Sequence, residues 1–201
     1  MSLLVLKEYQ DSRVVIVGAL EGSYYTLIDF LYMQEFSYKD ILILTGNFIN
    51  VDNPNSEKLI NFIRESANVF SIKGANEKIF LDAVESKKHQ ICHFNLTQED
   101  IYFLENLPLI IELHDNIYIV NAGYNPTINL DKQNPDYTIY KTNVVADNDW
   151  YNQEQQGSIF CFTHSKLDKT KLPGGYNLGN IDNNLHALIL YKDSEPILIK
   201  I

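Results

Sequence analysis

The stretch of sequence that decides the fold reads Arg13-Val14-Val15-Ile16-Val17-Gly18-Ala19-Leu20-Glu21-Gly22. Its β-branched run predicts a buried strand, and the glycine after the run predicts a turn at the carboxyl end of that strand. From Tyr24 to Phe36 apolar residues recur at intervals of three and four, which is the period of an amphipathic helix. Strand, loop and helix in this order indicate a parallel βαβ unit.

The same pattern recurs along the next part of the chain. Residues 40–45 form an apolar run that predicts a second strand, and a turn-rich loop follows it. Ser56 is the predicted N-cap of the next helix. Residues 69–72 predict a third strand, which ends at Gly74, and residues 77–84 predict a helix. Ligands of such units bind at the carboxyl ends of the strands, so the loops after these strands are the first candidates for a functional site.

The second half of the chain predicts further strands. Residues 109–113 and 116–120 indicate a hairpin, and residues 159–162, 186–191 and 196–201 are apolar enough for three more strands. The pair Gly174-Gly175 is interpreted as a break between strands, Thr97 and Asp100 as a helix-capping box, and residues 127–156 as loops with one short helix.

Bulk composition limits the class of protein. A chain of 201 residues with 45% hydrophobic residues predicts one domain that spans 1–201. The net charge of −10 argues against sequence-independent binding of nucleic acid, and no apolar run approaches the length of a membrane helix. Two cysteines, Cys92 and Cys161, indicate a reducing compartment or no redox role. A soluble, cytoplasmic protein is expected. The only arginines, Arg13 and Arg64, are few for a surface that grips phosphate.

Five short motifs follow the predicted strands. In chain order they are Gly18-Ala19-Leu20-Glu21-Gly22, Gly46-Asn47 with Pro54-Asn55-Ser56, Gly74-Ala75-Asn76-Glu77, Asn121-Ala122-Gly123-Tyr124-Asn125-Pro126 and Phe162-Thr163-His164-Ser165. In order and spacing they resemble the GDxHG, GDxxxRGxxS, GNHE, HAGxxP and GHT motifs of calcineurin-like metallophosphoesterases, nearest to the compact Ser/Thr protein phosphatases and symmetrical diadenosine tetraphosphatases. The resemblance covers nearly the whole chain. It implies an α/β fold in which a two-sheet sandwich is flanked by helices, in four layers α-β-β-α.

The resemblance also implies where a two-metal centre would lie. In that family two divalent metals polarise the phosphate and generate a hydroxide nucleophile. The metal-ligand positions correspond here to Ala19, Glu21, Asn47, Ala75, Asn121 and His164, and the general acid corresponds to Asn76. Ala19 offers no donor atom, Asn47 cannot supply the bridging charge, and the amide of Asn76 has no proton to give. Only His164 keeps the family's side chain.

The expected effect of the missing ligands and general acid on metal affinity and rate predicts a degenerate site. A partner that merely orients a metal ligand is worth roughly 10- to 100-fold in affinity or activity, and a general acid about 10²- to 10⁴-fold in rate. The sequence therefore predicts a pseudophosphatase without catalytic residues or cofactor, which binds an unknown protein or small polar ligand but no nucleic acid or membrane. Its vestigial cleft is predicted to be lined by Ala19, Glu21, Asn47, Asn50, Ala75, Asn76, Asn121 and His164.

Other interpretations remain open on sequence alone. Glu21 and His164, with Asp52 or Asp182, would be the weak candidates for one divalent metal, Mn²⁺ or Mg²⁺, in an active hydrolase with an altered site. The asparagines could instead be ordinary turn residues. Aromatic residues of the segments 137–140 and 150–151 could form an interface, which would favour an assembly role. Residues 89–93 hold two histidines and a cysteine whose spacing does not fit a four-ligand zinc site.

Overall fold

A computed structural model describes residues 3–6, 11–86, 96–125, 128–140, 157–163, 169–179 and 184–201. The strands in this part of the chain are β1 (Leu3–Leu6), β2 (Val14–Val17), β3 (Ile41–Leu44), β4 (Val69–Ser71), β5 (Ile110–Leu113), β6 (Ile117–Val120), β7 (Ile159–Phe162), β8 (Lys171–Leu172), β9 (Gly175–Asn177), β10 (His186–Leu190) and β11 (Ile197–Lys200). The α-helices are α1 (Tyr24–Met33), α2 (Asn55–Glu65), α3 (Ala75–Glu85), α4 (Gln98–Glu105) and α5 (Pro135–Tyr140). None of these helices combines the length and the hydrophobicity that a bilayer crossing requires.

The described strands form two sheets. One has the order β1-β5-β6-β7-β9-β8, and the other has the order β11-β10-β2-β3-β4. Strand β3 lies between β2 and β4 and is parallel to both, which confirms the predicted βαβ units. Strands β5 and β6 are antiparallel, so the predicted hairpin is confirmed as well, and a 3-10 turn at His114–Asn116 joins them.

The side chains of β2 show how the layers stack. Val14 and Ile16 point into a core between the two sheets, where they meet Ile119 of β6 and Leu188 of β10. Because successive side chains alternate across a strand, Val15 and Val17 face the other way, into a core beneath the helices. On the outer face of the other sheet, residues of β6 and β7 form a third cluster with α5. The order helix, sheet, sheet, helix is the predicted α-β-β-α arrangement, and the fold class is confirmed.

Local details correct some predictions and confirm one. Helix α2 begins at Asn55, so Ser56 is not its N-cap. Instead Ser56 Oγ donates to Asn50 O and accepts from Asn50 N, which closes the loop after β3. The capping box of Thr97 and Asp100 at the start of α4 is confirmed. Strands β1, β8 and β9 were not predicted, and β9 begins at Gly175, inside the segment that was interpreted as a break.

An ion pair joins the residues that directly precede β2 and β3. Arg13 Nη2 lies 2.8 Å from Asp40 Oδ2, and Arg13 Nε donates to Asp40 Oδ1 at 3.1 Å. Ser37 adds a backbone and a hydroxyl hydrogen bond to the same carboxylate. Burial alone would raise the pKa of Asp40, but the bonds from Arg13 and Ser37 outweigh burial and hold this pKa below its ordinary value. The carboxylate therefore stabilises the fold above its unfolded pKa, and this stabilisation is lost as the pH falls through the lower folded value.

We expect Asp40→Asn to destabilise the protein by about 3 kcal/mol at neutral pH, because Arg13 then keeps a half-buried charge without its anion. The difference from the unaltered protein should shrink as the pH is lowered from about 7 to about 3, because this range crosses the ordinary pKa of about 3.9 that Asp40 has in the unfolded chain. Urea unfolding at both pH values measures it. Asp29→Asn, on the exposed face of α1, is the control and should change stability by less than about 0.5 kcal/mol. A difference that does not change with pH would contradict this account.

Candidate functional site

The loops that follow β2 and β3 are hydrogen-bonded to each other. Glu21 N donates to Asn47 O at 3.0 Å, and Gly22 N donates to Phe48 O at 2.9 Å. Both loops turn sharply, with positive φ at Glu21, Gly22, Gly46 and Asn47. The glycines adopt this left-handed conformation without steric cost, and Asn tolerates it better than most side chains. The first two motifs therefore meet at the same edge of their sheet.

A buried carboxylate joins the second loop to the third. Glu77, in the first turn of α3, is fully buried. Its Oε2 accepts hydrogen bonds from Asn47 N and Gly74 N, each at 2.8 Å, and its Oε1 accepts one from Ile49 N at 2.9 Å. Burial raises the pKa of Glu77, and these backbone bonds oppose the rise in part. The carboxyl group thus positions the backbone of two motif loops at once.

The amides of Asn47 and Asn76 connect the same two loops. Asn47 Oδ1 accepts a hydrogen bond from Asn76 N at 3.1 Å, so it caps the amino end of α3. Asn76 Nδ2 donates to Ile49 O at 2.9 Å. Each side chain bonds to the backbone of the neighbouring loop.

The fourth and fifth motifs reach the cluster from the other sheet. Asn121, directly after β6, is buried, and its Nδ2 donates to Thr45 O at 2.7 Å. Thr163 N donates to Asn121 O at 2.7 Å, and the hydroxyl oxygens of Thr45 and Thr163 are 2.5 Å apart. Hydrogen bonds therefore link the ends of β3, β6 and β7 across the sandwich.

Gly74 shows how tightly these groups pack. A Cβ placed on Gly74 would lie 2.4 Å from Asn47 Oδ1 and 2.8 Å from Asn121 Nδ2, and one on Gly46 would lie 3.0 Å from Asn121 Nδ2. The amides of Asn47 and Asn121 thus lie against the same glycine. We call the hydrogen-bonded residues Glu21, Asn47, Gly74, Asn76, Glu77, Asn121 and Thr163 the loop cluster.

Comparisons with known proteins bear on this arrangement. No protein-family model and no curated protein matches the sequence. Solved structures do match. A crystal structure of a protein provisionally assigned as a diadenosine tetraphosphatase has a TM-score of 0.81 at 19% sequence identity, and the match covers 99% of this chain and 97% of that one. The chain has the metallophosphoesterase fold.

Two less similar solved structures share the metallophosphoesterase fold. A serine/threonine phosphatase from Saccharomyces cerevisiae, similar to human phosphatase PP5, has a TM-score of 0.61 at 12% identity over 100% of this chain and 82% of that one. A metallophosphoesterase from Sphaerobacter thermophilus has a TM-score of 0.59 at 13% identity over 94% and 88%. The resemblance inferred from five short motifs is confirmed at the level of the fold.

The remaining candidate residues differ in their exposure to solvent. Ala19 is buried, Ala75 is half-buried, and Glu21 and Asp52 are exposed. Asn50 Oδ1 accepts a hydrogen bond from Asp52 N, as a turn residue does. His164 and Asp182 lie outside the described residues, and so do Pro126, Trp150, Tyr151 and the segment 87–95 with its histidines. The side chains of Tyr137 and Tyr140 are likewise not described.

The described donor atoms do not match a two-metal centre. Such a centre requires negative or basic ligands. Here the loop cluster offers the neutral amides of Asn47, Asn76 and Asn121, each already hydrogen-bonded to backbone, and the exposed carboxylate of Glu21. The carboxyl group of Glu77 is buried and already accepts three backbone N–H groups. In the part of the chain that the structure describes, no three His, Cys, Asp or Glu residues are grouped as a metal site.

Glu77 is not among the site residues that the sequence predicts. Its position three residues after Gly74, at the start of a helix, was the available signal, because an acidic residue there commonly binds free backbone N–H groups. What the sequence could not reveal is that Glu77 also binds the loop after β3, thirty residues earlier in the chain.

Proposed function

We propose that this protein is a metallophosphoesterase-fold protein that assembles no two-metal centre and acts by binding a protein or a small polar ligand at the loop cluster. The observation that supports this most strongly is the use of Asn47. At the position that the resemblance gives to the bridging metal ligand, this side chain caps helix α3 through Asn76 N. A neutral amide in that role does not provide the negative charge that holds two divalent cations close together.

The general acid position supports the same proposal. The nitrogen of Asn76 donates to Ile49 O, and an amide nitrogen does not release a proton near neutral pH. Asn121, at another ligand position, is buried and directs its nitrogen, not its oxygen, toward Thr45 O. Hydrogen bonds within the protein thus already engage the amide oxygen of Asn47 and the amide nitrogens of Asn76 and Asn121.

We further propose that residues 1–201 form one domain that works in the cytoplasm, without a metal cofactor. Burial raises the pKa of the Cys161 thiol to about 12, so this cysteine has no reactive thiolate near neutral pH. An unreactive, buried cysteine agrees with a protein that has no redox role.

We expect calorimetry with Mn²⁺ to show no two-site binding of micromolar or better affinity. Hydrolysis of p-nitrophenyl phosphate and of diadenosine tetraphosphate should stay at background in excess Mn²⁺ or Mg²⁺. The physical reason is the absence of a bridging carboxylate and of a general acid. A missing metal ligand should lower metal affinity by more than the roughly 10- to 100-fold that a partner orienting a ligand contributes. A missing general acid lowers the rate by about 10²- to 10⁴-fold. A two-site isotherm, or turnover above background, would overturn the proposal.

A matched control restores the family's side chains in the same chain. It carries Ala19→Asp, Glu21→His, Asn47→Asp, Ala75→Asn, Asn76→His and Asn121→His together. This variant should bind Mn²⁺ before it gains any activity, because the arginine that would hold phosphate is still absent. If the unaltered protein does hydrolyse substrate, His164→Ala separates the outcomes: loss of that rate would favour the one-metal hydrolase built on Glu21 and His164.

A further inference from the structure

A cavity of about 320 Å³ lies where the start of α3, the end of α4 and helix α5 meet. Its apolar walls come from Leu107 and Leu109, between α4 and β5, and from Pro135 and Ile139 of α5. Two lysines, Lys73 and Lys78, and one acid, Glu105, line it as well, so the charged side chains of the lining carry a net positive charge. The volume falls at the small end of ligand-binding cavities, which range over roughly 300–1,000 Å³.

Lys73 brings a positive charge to this cavity. Its side chain is half-buried, and its Nζ donates to Glu105 O, at the end of α4, at 2.7 Å. Burial lowers the pKa of Lys73, although the charge of Glu105 opposes this. An ammonium carries three N–H donors, and Glu105 O is the one acceptor within hydrogen-bonding distance of Nζ among the described residues. The cavity therefore combines apolar walls with a partly desolvated cation, one of whose three N–H donors is used by the described residues.

We propose that this cavity binds a small amphipathic anion. The apolar body of the ligand would contact Leu107, Leu109 and Ile139, and its carboxylate or phosphate would accept hydrogen bonds from Lys73. An anion there gains more than in open water, because the effective dielectric constant beside a buried apolar wall is lower. Hydrogen bonds to a charged group are also stronger than those between neutral groups. None of the residues that line the cavity belongs to the loop cluster, although Lys73 directly precedes Gly74, and the proposal does not depend on the function proposed for that cluster.

Octanoate is the probe that tests this site, with octyl phosphate as the second headgroup. Titration of the full chain should shift the backbone amide NMR signals of Leu107, Leu109 and Ile139 in a saturable way. Lys73→Met keeps an apolar chain of similar length and removes the charge, so octanoate affinity should fall by about tenfold or more. Lys39→Met is the matched control, because the Lys39 ammonium lies over the Tyr38 ring elsewhere on the surface, and affinity should not change.

The uncharged alcohol 1-octanol separates the two parts of the proposal. It should bind at least about tenfold more weakly than octanoate, since it lacks the charge that Lys73 recognises. Equal binding of octanol and octanoate, equal octanoate binding by Lys73→Met and the unaltered chain, or no saturable shifts would each overturn the proposal. If Lys73→Met does not fold, the comparison of octanoate with octanol on the unaltered chain decides the question. A stronger response to octyl phosphate than to octanoate would identify phosphate as the preferred headgroup.

Discussion

Gly18→Ala is expected to destabilise the protein by at least about 3 kcal/mol, the upper end of the range for overpacked cores. A Cβ on Gly18 would lie 1.6 Å from Leu178 O, which is a backbone atom and cannot rotate away like the end of a side chain. Both backbones are held in place, because Gly18 N donates to His186 O and Leu178 N donates to Phe162 O. The substitution must therefore separate β2 and its loop from the residues after β9. Urea unfolding gives the free energy directly.

Gly157→Ala is the matched control for this prediction. Gly157 has φ +82°, and a Cβ there would meet no atom of the described residues within 4 Å. Its replacement should cost only the left-handed backbone conformation, about 1–2 kcal/mol. If Gly18→Ala costs no more than Gly157→Ala, the close approach of Gly18 to Leu178 is wrong.

Glu77→Gln is expected to cost about 2–4 kcal/mol, because it leaves a buried backbone donor without an acceptor. The carboxyl oxygens accept three backbone N–H groups, and even a protonated carboxyl keeps lone pairs on both oxygens. The NH₂ of Gln accepts nothing. It would have to face Ile49 N–H, or else the N–H groups of Asn47 and Gly74. Thermal and urea unfolding measure the loss.

The pH dependence of this difference has a definite sign. Burial raises the folded pKa of Glu77 above its unfolded value, so the stabilisation is complete below the unfolded pKa and is lost as the pH rises through the folded one. The difference in the free energy of unfolding between the unaltered protein and Glu77→Gln should therefore be larger near pH ~4.5 than near pH ~8. Glu85→Gln, exposed at the end of the same helix, should change stability by less than about 0.5 kcal/mol. A gap that widens with rising pH would show that the carboxylate, not the acid, is the favoured form.

The elements that were predicted correctly are those whose signals are local. Strands β2, β3 and β4 are apolar runs that end at turns, and the box of Thr97 and Asp100 lies within four residues of chain. Strand β1 could not be predicted in this way, because its parallel partner β5 lies about a hundred residues later. Strand β9 was missed for a similar reason. Gly175 suggested a break, yet a Cβ there would lie 1.9 Å from Phe160 O, so the glycine permits a close approach to β7.

In the candidate site, too, the sequence predicts what depends on local signals and not what depends on distant residues. Motif order was sufficient to predict that the loops after β2, β3 and β4 share one edge, and hydrogen bonds from Glu21 to Asn47 and from Asn47 to Glu77 join them. The pairing of each polar group was not predictable. Which atom Asn121 or Asn76 bonds depends on backbone carbonyls far away in the chain, and the sequence contains no local sign of them.

The shared contacts of Gly74 and Glu77 make the effects of substitutions in the loop cluster depend on one another. Asn47→Asp alone would place a second acidic side chain beside Glu77, to which Asn47 N already donates, and ionisation of either group would be disfavoured by ionisation of the other without a cation. Asn121→His alone would break the bond to Thr45 O and press a larger ring toward Gly74. Each of these two substitutions, made alone, is therefore expected to lower stability. Under the proposed function, a lineage that changes one residue at a time passes through less stable proteins before it reaches a metal centre.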